Sequence, residues 1–328
     1  MVFKEIPPAV RDFLYSRPAY YILPHIEPDG DCICSALALA SFLRRQGKRV
    51  FLHNLGPFDR RDIRLYANQI SGRITVEQRL TEPEAGVIIV DCSTLDRIGE
   101  LSGDIEGLPV AVIDHHSAGV VFGDFRFINP TAPSTSLLIQ QVIEMTGQSP
   151  TQYEAELLFF GFCTDTGFFR HLDQLSSQSL LFVARLVQAG ASPKKVFSEL
   201  NSGAALVGRR HLGKLLERAE SHFGGQVLLS YEFLEETVAV GKMNRESDLL
   251  YQMLFGIEGV ELVIALREET KHKITGGLRS RSKVDVGQIA LSLGGGGHQR
   301  AAGFALETSL EQAKIKILAA VQTAIDLA

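Results

Sequence analysis

Three short apolar runs in this chain end in side chains that can bind divalent cations. The first, Ala19–Leu23, leads into His25-Ile26-Glu27-Pro28-Asp29-Gly30-Asp31. The second, Gly86–Val90, ends at Asp91, and the third, Pro109–Ile113, ends at Asp114-His115-His116. A fourth carboxylate, Asp165, follows the apolar stretch Leu157–Cys163 within Cys-Thr-Asp-Thr-Gly. Each group alone has a plainer use. Asp91 after a strand would serve as a helix N-cap, and Asp29 and Asp31 would suit a turn and cap ahead of a helix. A lone loop histidine is usually a surface group. Capping does not ask for His-x-x-x-Asp-x-Asp, Asp-His-His and two further aspartates at the ends of neighbouring elements, whereas a metal site does.

The ligand types then select the ion. Carboxylates and imidazoles without thiolates suit Mn²⁺ or Mg²⁺, with Co²⁺ also admissible, and imidazole tips the choice towards Mn²⁺. One ion among at least four aspartates and two histidines would leave several buried charges unpaired, which is costly. Two ions sharing a bridging carboxylate remove that cost.

Such a cluster needs elements that bring distant residues together. The apolar runs lack polar alternation, as strands of a parallel sheet covered on both faces do. The carboxyl ends of parallel strands open on one crevice, where these side chains would converge. An N-terminal helical stretch, a helix over Ile33–Gln46 stopped by Gly47, and a strand over Arg49–His53 complete a doubly wound, mostly parallel α/β domain. Residues Ser134–Ala189 are mainly helical with a break near Thr164–Asp173; Ser192-Pro193 opens another helix, and Gly203–Ser221 a further charged one. The remainder alternates strand (Gln226–Tyr231), helix (Ser247–Phe255), strands (Val260–Arg267, Lys273–Arg279), helix (Val286–Leu293), a glycine run and a last helix. That pattern is a smaller α+β domain. The expected division is residues 1–190 for the metal-binding domain, 191–212 for a helical connection and 213–328 for the second domain, with the active site in the cleft between the domains.

A chain of 328 residues can bury two such cores, and 45% apolar with 22% charged residues is ordinary for a globular enzyme. A formal charge of −5 argues against a protein that holds long duplex nucleic acid by neutralising phosphates; a short nucleotide needs only a local basic pocket. The four cysteines, Cys32, Cys34, Cys92 and Cys163, form no C-x-x-C pair, which suits a reduced, cytoplasmic compartment. The first residues show no signal-peptide core and no apolar run spans a bilayer, so no membrane partner is expected. No G-x-G-x-x-G follows the first strand, against a dinucleotide-cofactor oxidoreductase.

In order, His-Ile-Glu-Pro-Asp-Gly-Asp, Val-Asp-Cys-Ser, Ile-Asp-His-His and Thr-Asp-Thr-Gly resemble the motifs of the DHH phosphoesterase family. The segment Gly294-Gly295-Gly296-Gly297-His298-Gln299-Arg300-Ala301-Ala302-Gly303-Phe304 is similar to the signature of the DHH-associated domain. The resemblance covers nearly the whole chain and is closest to the branch of small oligoribonucleases and pAp phosphatases (nanoRNase-like). It implies that His25, Asp29 and Asp91 hold one ion and that Asp31, Asp91, His115 and Asp165 hold the other. It further implies that His116 faces the substrate phosphate, that Asp114 supports the site, and that Arg279 and His298 touch substrate. Cys32, Cys34 and Cys163 stand where small residues are expected, and core filling explains them better than thiol ligation.

Hydroxide held between two ions about 3.5–4 Å apart is nucleophilic at neutral pH and would attack phosphorus in line, with His116 offsetting charge on the phosphoryl oxygens. The glycine run Gly294–Gly297 could turn backbone N–H groups towards an anion as a concave nest, with Gly295, Gly296 and Gly297 at its centre. Arg281 and Lys283 suit a solvated basic face. Phe168, Phe169 and Arg170 would either stack on a base or pack in the core. The expected substrates are short oligonucleotides, dinucleotides or mononucleotide bisphosphates. Rival activities are hydrolysis of linear pApA or cyclic c-di-AMP, pyrophosphatase or exopolyphosphatase action, and single-strand exonuclease action. A catalytically silent nucleotide-binding module is the rival from outside the enzymes. The resemblance also implies a homodimer.

Overall fold

The computed structural model describes residues 4–117, 119–172, 176–241, 244–281 and 284–326. Lys283 lies outside the described residues. The chain divides into two units, Met1–Ser202 and Gly203–Ala328.

In the first unit, β1 (Ala19–Pro24), β2 (Arg49–Leu52), β3 (Gly86–Val90), β4 (Val110–Asp114) and β5 (Phe125–Ile128) form one sheet. Its order is β2-β1-β3-β4-β5, and every pairing is parallel. Alternate side chains enter two cores. Tyr20, Ile22, Ile88, Val90, Ile113 and Phe127 join one, and Tyr21, Leu23, Val87, Ile89 and Val112 join the other. Burial on both faces is why these strands carry no polar alternation. β5 was not evident from sequence, because four residues with Arg126 exposed give little pattern at a sheet edge.

The unit's helices are α1 (Pro8–Ser16), α2 (Gly30–Arg45), α3 (Val76–Thr81), α4 (Leu101–Asp104), α5 (Thr135–Glu144), α6 (Gln152–Asp165), α7 (Ser177–Gln188) and α8 (Pro193–Asn201). The helix α2 starts at Gly30, earlier than its apolar pattern suggests, because Asp29 caps it: Asp29 Oδ1 accepts the Cys32 N–H at 3.0 Å. α2 lies directly on α6. A Cβ on Gly161 would strike Ser136 Oγ and come within 3.0 Å of Asp31 Oδ1, so only glycine permits this approach.

The second unit contains α9 (Leu206–Glu217), β6 (Glu220–His222), β7 (Val227–Glu232), α10 (Leu234–Val240), α11 (Ser247–Phe255), β8 (Leu262–Thr270), β9 (Lys273–Ser280), α12 (Val286–Ser292), β10 (Gly296–His298), β11 (Ala301–Glu307) and α13 (Leu310–Asp326). Its sheet runs β10-β11-β9-β8-β7-β6, with β7–β8 parallel and the other pairs antiparallel. Residues from α12 and α13 pack on one face, and residues from α9 and α11 on the other.

Two expectations change here. The helix expected to reach Ser221 ends at Glu217, and Glu220–His222 pairs with β7 instead. The glycine run is not an open nest: Gly296, Gly297 and His298 pair with Gly303, Ala302 and Ala301. A Cβ on Gly297 would lie 2.5 Å from Ala302 Cα, so glycine serves a close backbone approach there. Among the described residues, no helix is long and apolar enough to cross a membrane.

Candidate metal centre

The carboxyl ends of three adjacent strands build the centre. His25 follows β1, Asp91 follows β3, and Asp114, His115 and His116 close β4. The helices α2 and α6 add Asp29 and Asp31 at one start and Asp165 at the other's end. Asp91 sits at φ +57°, a conformation that costs a residue with a Cβ about 1–2 kcal/mol. Its N–H donates to the Ile113 carbonyl at 3.0 Å, which ties the strained turn to β4.

Distances from imidazole nitrogen to carboxylate oxygen are the telling feature. His25 Nε2 lies 3.8 Å from Asp91 Oδ2 and 4.0 Å from Asp29 Oδ2. His115 Nε2 lies 3.6 Å from Asp91 Oδ1 and 3.4 Å from Asp165 Oδ2. One donor atom each from Asp31, His115 and Asp165 falls within a 4.8 Å group. These separations exceed a hydrogen bond. They match two ligands on one cation with bonds of about 2.1 Å, which stand about 3.0 Å apart when adjacent and about 4.2 Å apart when opposed. Asp91 directs one oxygen at each histidine.

The imidazole tautomers give the physical test of fit. His25 Nδ1 is 2.7 Å from the Ile26 carbonyl, which can only accept, and this contact, shorter than the 3.1 Å to the donor Arg97 Nη2, assigns the proton to Nδ1. His115 Nδ1 likewise faces the Ala132 carbonyl at 3.3 Å. Both Nε2 lone pairs therefore point at carboxylates. Lone pairs facing anions repel unless a cation lies between them, and an imidazole anchored through its other nitrogen is how metal-binding histidines are held. The residues fit divalent ions. His116 differs: its Nδ1 donates to Asp114 Oδ1 at 2.7 Å, and its side chain is half exposed. That hydrogen bond raises the His116 pKa against the opposing effect of burial.

Burial raises the carboxyl pKa values of Asp31 and Asp91, and that of Asp165 to about 8, with neighbouring carboxylates adding to the shift at Asp91 and Asp165. Burial also lowers the His25 pKa. These are the signs of an acidic cluster short of positive charge. The start of α5 supplies the neutral donors. Thr135 N–H donates to Asp31 Oδ2 at 2.7 Å, Ser136 N–H donates to Asp31 Oδ1 at 2.9 Å, and Thr135 Oγ1 donates to Asp91 Oδ1 at 2.8 Å. Ser136 Oγ also donates to Asp31 Oδ1.

Thr135, Ser136, Gly161 and Arg97, whose Nη2 lies 3.1 Å from His25 Nδ1, were not singled out from sequence. An S/T-x-S/T run before an apolar helix, as in Ser134-Thr135-Ser136, is the one visible signal for the first two. Cys32 Sγ accepts the His25 N–H at 3.1 Å, and burial keeps the thiol protonated. All four cysteines are buried and free. Phe168 and Phe169, at φ +54° and +75°, pack edge-on against Phe197 and Phe162 respectively.

The remaining predicted site residues belong to the second unit. Arg279 on β9 lies over the Tyr251 ring at 4.8 Å, and Gly296, Gly297 and His298 form the exposed edge strand β10, with the partly buried Gly295 just before it.

The DHH family N-terminal domain matches residues 19–162, and the DHHA1 domain matches residues 224–326. The bifunctional oligoribonuclease and PAP phosphatase NrnA of Thermus thermophilus is 29% identical over 303 residues, covering 92% of this chain and 89% of that protein. The Bacillus subtilis NrnA is 25% identical, covering 86% of this chain and 87% of that protein. The crystal structure of an exopolyphosphatase-related protein from Bacteroides fragilis superposes with a TM-score of 0.86 at 23% identity, over 99% of both chains, which shows a shared fold.

Proposed function

Because the chain belongs to the DHH family, we propose that it is a Mn²⁺-dependent hydrolase of short nucleotides, acting as an oligoribonuclease and 3′-phosphoadenosine-5′-phosphate phosphatase. The observation that carries the reading is the pair of Nε2 lone pairs, on His25 and His115, aimed at the two oxygens of Asp91. In this reading His25, Asp29 and Asp91 hold one ion, and Asp31, Asp91, His115 and Asp165 hold the second.

Divalent ions bound there supply Lewis acidity and lower the pKa of water towards neutrality. The chain's own residues do the rest. Asp91 spans both positions, held by Thr135 and by its strained backbone. Asp114 accepts from His116 Nδ1–H and raises the ring's pKa, so the protonated imidazolium keeps an Nε2–H to donate to a phosphoryl oxygen, where developing charge is best offset by a preset donor. Arg279, Gly295, Gly296, Gly297 and His298 bind the nucleotide. A cytoplasmic homodimer completes the reading, supported by four free buried cysteines for the reducing compartment and by family resemblance for the dimer.

A Mn²⁺-supplemented panel of pAp, dinucleotides, a short RNA, cyclic dinucleotides and pyrophosphate, compared by kcat/KM, tests this. The expected leaders are pAp and the linear dinucleotides. Preference for pyrophosphate or a cyclic dinucleotide would overturn the substrate assignment.

A further inference from the structure

Away from the metal centre, the second unit holds a recess walled by α9, the end of β7, the middle of β8 and the start of α11. Three of its buried polar atoms, His211 Nε2, Glu232 Oε1 and Arg245 Nε, have no hydrogen-bond partner among the described residues. His211 and Glu232 are 5% and 3% exposed. Glu232 Oε2 accepts from Arg267 Nε at 2.9 Å, but Oε1 only faces His211 Nε2 at 3.5 Å, and neither of these two atoms has a hydrogen-bond partner among the described residues. Among the described residues, Arg245 Nε is also buried without an acceptor, and the Glu269 oxygen that its guanidinium approaches is 4.0 Å away. Burial first, then the charge of Arg267, hold the Arg245 pKa below the usual arginine value, the mark of a cation lacking a close counter-charge. No side chain caps α11, whose first residues line the same recess. α9 presses on the segment that carries Arg245, since a Cβ on Gly208 would strike the Asn244 carbonyl.

Buried orphans of both kinds are rare in a folded protein and invite a ligand that can donate and accept. We propose that this recess binds inorganic phosphate, which keeps at least one P–OH at neutral pH. Its P–O oxygens accept from Arg245, from Ser247 and from the N–H groups opening α11, where anions are favoured. Its P–OH donates to Glu232 Oε1 or His211 Nε2. Sulfate, with no proton at neutral pH, would set an oxygen lone pair against the buried carboxylate and so binds more weakly. The site needs no metal ion and stands whether or not the proposed catalytic reading holds.

Calorimetric titration of the full-length protein with inorganic phosphate, sulfate and AMP tests it. Phosphate should bind about 10-fold or more tightly than sulfate, in line with the cost of an unmet buried acceptor. Arg245→Gln should weaken phosphate about 10-fold while Asp91→Asn leaves this binding unchanged, which separates the recess from the metal centre. Ser247→Ala, a gentler change, should give a smaller loss with the melting temperature preserved. AMP, whose phosphoryl group is mostly unprotonated at neutral pH, should bind more weakly than phosphate, and AMP that binds more tightly and is sensitive to Arg245→Gln would overturn the protonated-anion assignment. Equal binding of sulfate and phosphate, or Arg245→Gln and Ser247→Ala proteins that melt normally and bind phosphate like wild type, would overturn the proposal.

Discussion

Replacing Thr135 with valine removes one hydroxyl and leaves the side-chain shape almost unchanged. That hydroxyl donates to Asp91 Oδ1 at 2.8 Å, while the Thr135 N–H to Asp31 Oδ2 survives the change. A hydrogen bond to a charged, buried acceptor is worth about 1.5–3 kcal/mol. If the bond acts by orienting Asp91, the loss appears in metal affinity, where about 1.4 kcal/mol corresponds to a factor of ten. Mn²⁺ binding should then weaken about 10–100-fold, the range expected when an outer partner of a metal ligand is lost. Calorimetric Mn²⁺ titration of wild type, Thr135→Val and Thr135→Ser measures it. The serine variant keeps the donor and should stay close to wild type. Hydrolysis by the valine variant should fall at low Mn²⁺ and recover at high Mn²⁺. Wild-type affinity in Thr135→Val would show that Asp91 is held by other means and would refute the reasoning.

Further expectations follow from individual contacts. His116→Gln should lower kcat about 100–1000-fold with metal content unchanged by mass spectrometry, because it removes a donor to the phosphoryl group and no ligand. Gly161→Ala would push a methyl into Ser136 Oγ and Asp31, costing about 1–3 kcal/mol of stability. Thermal melting should show that loss, and Mn²⁺ titration a weakened site. Glu236 is held by Arg218 at 2.6 and 2.9 Å, and this pairing lowers its carboxyl pKa from 4.5 to about 2. Its contribution is therefore present above pH 4.5 and fades as pH falls towards 2. Urea melts should show Glu236→Gln less stable than wild type by about 1–2 kcal/mol at pH 7, after allowing for solvent screening, with the gap shrinking near pH 3.

The clustered aspartates and histidines were legible because they follow apolar runs, and parallel strands deliver their carboxyl ends to one place. Their supports were not. Thr135 and Ser136 act through a backbone N–H and a hydroxyl at a helix start, a pattern shared with ordinary capping. Gly161 matters only because α2 and α5 meet α6 there, a tertiary fact with no local signal. In the second unit, the glycine run suggested a loop, since glycine weakens strands and favours turns. The structure uses the missing Cβ atoms for close pairing of β10 with β11. The short edges β5 and β6 escaped notice because three or four residues cannot establish a period.

Equilibrium dialysis against Mn²⁺, with metal counted by mass spectrometry in wild type and Asp91→Asn, bears most directly on the shared-carboxylate centre. Asparagine tolerates the left-handed backbone at this position, so the variant removes charge without adding strain. Two ions per wild-type chain and loss of both in Asp91→Asn are predicted. A wild-type chain that binds one ion or none, or a variant that keeps two, would contradict the account.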